Sequence, residues 1–247
     1  MVETVIQTNK LTKRFGDFIA ANEITFDVAA GEIFGFLGAN GAGKTTAMRM
    51  LCGLSTPSSG TARIAGFDIY KQAESIKKNI GYMSQKFSLY EDLTIKENIQ
   101  FFGGIYGLCD KQLKEKSESL IEQLGLKDQT KKLVGELPLG WKQKLAFSVA
   151  ILHTPKIVFL DEPTGGVDPV TRRQFWDLIY DAAANGITVF VTTHYMDEAE
   201  YCNRISMMVD GVIKALDTPA NLKKQFNAAS MDDVFFELAR GAKRKAD

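Results

Sequence analysis

The chain has 247 residues, 45% apolar and 24% charged, a balance that fits one large globular domain or two small lobes and excludes a disordered or fibrous chain. Its 30 basic residues match its 30 acidic ones, so the zero net charge argues against a broad electrostatic footprint for nucleic acid. No run of about 18 apolar residues occurs, which excludes a spanning helix within it, and the opening Met1-Val2-Glu3-Thr4-Val5 carries no secretory pattern.

Residues from about Thr4 to Ala30 alternate apolar and polar side chains, which predicts antiparallel strands turning at Gly16-Asp17 and Ala29-Gly31. Phe15 sits between two of them, either as a core aromatic or as a platform for a base. Next, the apolar run Glu32 to Leu37 reads as a buried strand. It feeds Gly38-Ala39-Asn40-Gly41-Ala42-Gly43-Lys44-Thr45, followed by Thr46, and a helix ending near Gly53. This is G-x-x-x-x-G-K-[ST] in its required strand–loop–helix order. Glycines let successive backbone N–H groups face phosphate oxygens, and the helix start adds the positive end of its dipole. Lys44 is placed for the β- and γ-phosphates, and the Thr45 hydroxyl for Mg²⁺.

Further short strands are predicted over Thr61–Gly66 with Ile69 and over Ile80–Ser84, the second delivering Gln85 to its end. From about Lys86 to Leu139 the period becomes helical, with Ile95, Ile99, Phe102 and then Leu113, Leu120, Leu124, which predicts a helical insertion lobe. A helix from Gly140 to His153 is broken by Pro155. The apolar run Ile157 to Leu160 then ends in Asp161-Glu162, about 115 residues after the phosphate loop. A carboxylate there can hold Mg²⁺ through water, and its neighbour can polarise an attacking water. A helix over about Val170–Ala184, a strand over Gly186–Thr193 with His194 at its end, a hairpin at Asp210-Gly211 and two helices complete the chain. The cysteines Cys52, Cys109 and Cys202 are scattered and read as reduced, buried residues, and Lys243-Arg244-Lys245 as a solvated tail.

With the phosphate loop, Gln85, Leu137 to Lys144, Ile157 to Glu162, Val167-Asp168-Pro169 and His194 in this order, the chain resembles the nucleotide-binding subunit of ATP-binding cassette (ABC) transporters over nearly its whole length. The resemblance implies an α/β P-loop NTPase fold. It has a RecA-like parallel core and an antiparallel β-subdomain (about 1–85 and 140–220), a helical subdomain (about 86–139) and C-terminal helices (about 218–240). It implies a Mg²⁺-dependent ATPase. Phe15 would stack on adenine, Gln85 sense metal and water, Asp161 serve the metal, Glu162 act as base, and His194 contact the γ-phosphate. Two cassettes, as a homodimer or heterodimer, would sandwich ATP head to tail, with Asp168 and the partner's signature loop at the interface. The subunit would sit on the cytoplasmic face against an integral membrane partner. Phe87 to Leu108 and Met231 to Leu238 resemble type-2 exporters of drugs, lipids or polysaccharides, with Phe87 and Tyr90 as the docking candidates.

One stretch departs from the family. The signature reads Leu137-Pro138-Leu139-Gly140-Trp141, with proline in place of a serine that bonds phosphate. A proline offers neither hydroxyl nor N–H. Either the site is weakened within an asymmetric dimer, or it works through backbone donors alone, which the intact Glu162 and His194 favour. Two rival readings are a soluble cassette acting on ribosomes or DNA, and a regulatory half that binds without turnover. The single cassette, neutral charge and lack of heptads disfavour the first.

Overall fold

A computed structural model describes residues 3–85, 89–240 and 242. Phe87 and the Lys243-Arg244-Lys245 tail lie outside the described residues. The strands are β1 (Thr4–Phe15), β2 (Phe18–Ala29), β3 (Ile33–Leu37), β4 (Ser59–Ile64), β5 (Phe67–Asp68), β6 (Ile80–Met83), β7 (Ile157–Asp161), β8 (Thr188–Thr193), β9 (Arg204–Val209) and β10 (Val212–Asp217). The helices are α1 (Lys44–Leu51), α2 (Ala73–Asn79), α3 (Ile95–Ile105), α4 (Asp110–Gln123), α5 (Leu139–Ala150), α6 (Pro169–Ala184), α7 (Pro219–Gln225) and α8 (Met231–Ala239).

Two sheets form. One is antiparallel, in the order β2-β1-β4-β5, and the other has six strands in the order β10-β9-β3-β8-β7-β6. In the larger sheet every neighbouring pair is parallel except β10 on β9. The β9–β10 turn has positive φ at both Asp210 (51°) and Gly211 (85°), the geometry of a tight type I′ hairpin, as the Asp-Gly pair predicts.

Both faces of the central strands β3, β7 and β8 are buried, so their side chains are mostly apolar and alternate between two clusters. Phe34, Phe36, Phe159 and Phe190 face α1 and the antiparallel sheet, where Phe26 stacks on Phe34 at 5.5 Å. Ile33, Leu37, Val158, Leu160, Val189 and Val191 face the α5/α6 side with Phe147, Phe175 and Trp176. The period of two thus sends the apolar residues of the central strands alternately to one of two cores. Burying these large side chains stabilises the domain by roughly 2 kcal/mol each.

The helical segment begins where expected. Thr94 caps α3 in a capping box with Glu97, whose carboxylate also accepts the Thr94 N–H. Its aromatics divide: Phe102 packs against the core, whereas Tyr90 and Phe101 are 48% and 43% exposed and meet edge to face at 5.1 Å. One expectation is corrected here. Cys52 and Cys202 are buried, but Cys109 is exposed, because it occupies the N-cap of α4.

Candidate nucleotide site

Four adjacent parallel strands end together. Leu37 of β3 pairs with Thr193 of β8, Thr192 with Asp161 of β7, and Leu160 with Met83 of β6. The residues just past these ends are the phosphate loop, His194, Glu162 and Gln85. Register therefore gathers at one sheet edge what the sequence spreads over some 150 positions.

The phosphate loop needs its glycines. Gly43 has φ 108° and caps α1, and a methyl there would run into the carbonyl of Ala20. Lys44, 4% exposed, donates from Nζ to the carbonyls of Gly38 (2.8 Å) and Ala39 (3.1 Å) and pairs with Glu162 at 3.3 Å. Burial lowers the pKa of its ammonium, and the Glu162 carboxylate opposes that shift.

Glu162 is the hub. Besides Lys44, its carboxylate accepts from Gln85 Nε2 (2.9 Å) and His194 Nδ1 (3.0 Å). Its backbone is left-handed (φ 49°), a conformation that costs a side-chain-bearing residue about 1 kcal/mol or more. The Glu162 N–H bonds to both the carbonyl and the hydroxyl of Thr192, each at 3.1 Å, which holds that turn.

Asp161 faces the α1 side, two residues beyond Phe159. It accepts from Thr192 Oγ1 (2.6 Å) and Thr45 Oγ1 (3.2 Å), and desolvation raises its pKa. Mg²⁺ takes hard oxygen donors and keeps several waters, so one hydroxyl and one carboxylate beside a phosphate loop fit it. Among the described residues no cluster of three or more His, Cys, Asp or Glu could hold a metal. The two oxygens at Thr45 and Asp161 would leave the remaining positions of such an ion to other oxygen donors.

Residues 40–46 line a cavity with Phe18, Ala20, Gln85 and Glu162. Phe15, the expected base platform, is absent from that lining. It is 56% exposed and lies under Lys13 Nζ at 5.1 Å. Its cross-strand partner Phe18, 53% exposed, borders the loop instead. Sequence reasoning also missed Thr192, whose hydroxyl joins Asp161 to the Glu162 turn.

The signature segment forms a second cavity, where Pro138, Leu139, Gly140 and Trp141 meet Val167, Asp168 and Thr171. Helix α5 starts at Leu139, one residue before the expected Gly140, because Pro138 sits at its N-cap with φ −57° and ψ 149°. Gly140 packs on α6, where a methyl would run into Thr171 Cγ2. Asp168 is engaged within its own chain as the N-cap of α6. It accepts from Val170 N and Thr171 N (3.0 Å each) and from Thr171 Oγ1 (2.5 Å), and the Thr171 hydroxyl bond is the main cause of its lowered pKa. Leu139 also borders the space beside Gln85, Glu162 and His194.

A parallel sheet with a phosphate-cradling loop at its carboxyl edge defines the class, a P-loop nucleotide-binding α/β protein. The family follows from comparison: the ABC transporter pattern matches residues 21–165, and the chain belongs to that family. It is 50% identical over 96% of its length to a probable multidrug ABC transporter ATP-binding protein of Escherichia coli (strain K12), and spans 41% of that relative. It is 34% identical over 95% of its length to a Nod factor export ATP-binding protein of Rhizobium sp. (strain N33), and spans 78% of it. An ATP-binding subunit of an ABC transporter superposes with a TM-score of 0.86 at 26% identity, covering 96% of this chain and 100% of that one. A dimeric ATP-binding cassette in a post-hydrolysis state with ADP and Pi shares the fold (TM-score 0.77, 22% identity, 86% of this chain and 98% of that one). Among the described residues, no helix is long and apolar enough to cross a membrane.

Proposed function

We propose that the chain hydrolyses ATP with Mg²⁺ and powers a type-2 exporter by closing on a second cassette. The observation that carries this reading is the Glu162 carboxylate, held at a strand end by Lys44, Gln85 and His194. In this reading the loop N–H groups and Lys44 bind the phosphates, Thr45 and Asp161 hold Mg²⁺, and Glu162 takes the proton of the attacking water. Mg²⁺ would supply charge neutralisation at the phosphates. Gln85 and His194 orient the carboxylate. Phe18, in place of Phe15, takes the base. The expected ranking is a loss of ATP affinity of about tenfold for Phe18→Ala, the scale of one lost stacking contact, against under twofold for Phe15→Ala. Titration of each variant with ATP checks it, and the reverse order would return the platform to Phe15.

The names of the relatives support export, and the division into subdomains at about 86 and 139 belongs to the same reading. The second cassette, a copy of this chain or a different one, would present the N-terminus of α5 to the nucleotide. Proline at the cap leaves the backbone N–H groups of the first turn as the donors. The exposed Tyr90–Phe101 pair is the proposed seat of the membrane partner, which would hold the cassette at the cytoplasmic face.

The test is turnover of the purified chain with Mg²⁺-ATP. Activity should rise more steeply than in proportion to protein concentration, because two cassettes complete each site. Pro138→Ser should change turnover by under threefold, and Gly140→Ala should lower it at least tenfold by displacing the α5 N-terminus from Thr171. Turnover strictly proportional to protein would overturn the two-cassette site. A silent wild type that still binds ATP would favour the regulatory reading.

A further inference from the structure

Behind the Glu162 loop lies a buried carboxyl group that none of the chemistry above uses. Glu198 belongs to the short helical stretch Met196–Tyr201 and is 0% exposed. Its Oε1 accepts from Thr164 Oγ1 at 2.5 Å and Trp176 Nε1 at 3.4 Å, and lies 3.7 Å from Arg172 Nε. Its Oε2 is buried with no hydrogen-bond partner. Burying a carboxyl group is costly unless several donors meet it. Here two donors, from the Glu162 loop and from α6, converge on one oxygen, and the Arg172 guanidinium adds its charge at 3.7 Å without a hydrogen bond from Nε.

What those donors connect is the point. Thr164, itself 0% exposed, lies two residues after Glu162. Arg172 and Trp176 lie on α6, whose N-cap is Asp168. Glu198 lies four residues after His194. Arg172 also stacks its guanidinium on the Tyr195 ring at 4.2 Å, and that ring lies 4.2 Å from His194. With the His194–Glu162 contact at 3.0 Å the path closes on itself, from Glu162 through Thr164, Glu198 and the 195–198 backbone to His194 and back.

We propose that Glu198 is a positioning residue of the hydrolytic site. It fixes His194 relative to Glu162 and ties both to the helix that carries Asp168. The inference rests on the reading of Glu162 and His194 as the hydrolytic pair. A contact displaced by a fraction of an ångström at such a pair lowers the chemical step with little effect on nucleotide affinity, since neither Glu198 nor Thr164 lines the cavity at the phosphate loop.

Three variants test it: Glu198→Gln, which keeps shape and acceptor but loses charge; Thr164→Val, which deletes the hydroxyl at constant volume; and Thr164→Ser, which restores it. Glu198→Gln and Thr164→Val should lower kcat at least tenfold with KM for ATP changed by under twofold, and Thr164→Ser should return kcat to within twofold of wild type. The two lesions combined should cost no more than the worse one alone, because they cut the same path. A second readout is independent of turnover. The chain has only two histidines, His153 and His194, so ring ¹⁵N signals of labelled protein resolve each. The His194 signals should move in Glu198→Gln and Thr164→Val while those of His153 stay. Unmoved His194 signals, or a kcat within twofold of wild type in both variants, would overturn the proposal. A loss of kcat that Thr164→Ser fails to rescue would reduce Glu198 to a folding role and overturn it as well. A wild type without turnover would sink the hydrolytic reading alone, and the ¹⁵N signals would still decide the positioning.

Discussion

Glu162→Gln should lower ATP turnover by about a thousandfold while ATP binding survives, the scale of a lost general base. The amide keeps the size of the carboxylate and an acceptor oxygen, so Gln85 and His194 still find a partner. What goes is basicity and charge. The charge matters to Lys44, whose ammonium is disfavoured by burial and favoured by the Glu162 carboxylate. Removing the favourable partner lowers the lysine pKa further, until phosphate supplies a replacement anion. The variant should therefore bind ATP with an affinity equal to or above that of wild type, because phosphate no longer competes with a resident carboxylate for Lys44. Single-turnover hydrolysis and equilibrium binding measured side by side check both halves. Turnover within tenfold of wild type would assign the base elsewhere.

Lys44→Met should weaken ATP binding by about a hundredfold, near 3 kcal/mol, and abolish turnover. Methionine keeps the apolar stem and removes the charge. In the folded chain Lys44 Nζ gathers the carbonyls of Gly38 and Ala39, so its loss also slackens the loop at its first turn. Glu162 would remain buried with Gln85 and His194 as partners, which limits the cost to stability below the several kcal/mol of a wholly orphaned buried charge. Affinity by calorimetry, with thermal melting as the control, separates the two effects. An affinity within threefold of wild type would remove Lys44 from phosphate binding.

How much of this was legible before the fold was known depends on distance along the chain. The phosphate loop and the Asp161-Glu162 pair are local, so a motif between a strand and a helix declares itself. Thr192 is not local. Its hydroxyl matters only because β7 and β8 pair with Asp161 opposite Thr192, and a register between strands some thirty residues apart leaves no mark in either segment. Phe18 escaped for a related reason. Two aromatics flank the same turn and pair across it, so they share one face of the sheet and the alternation of the strands does not distinguish them. Glu198 escaped because a glutamate in a short helical turn reads as solvated surface, and only the packing of α6 behind it reveals the burial.

The strict alternation of the central strands has a consequence for how this protein can change over time. Asp161 reaches the phosphate side only because it stands an even number of residues beyond Phe159, and Thr192 likewise beyond Phe190. Parity is carried by chain length, not by the identity of any intervening side chain. Substitutions among Val158, Leu160 and their neighbours alter packing and leave the carboxylate in phase. Loss or gain of one residue within β7 would turn the carboxylate toward the α5/α6 core and leave an apolar side chain opposite the Thr45 hydroxyl. This edge of the sheet is thus open to drift in composition and closed to drift in length.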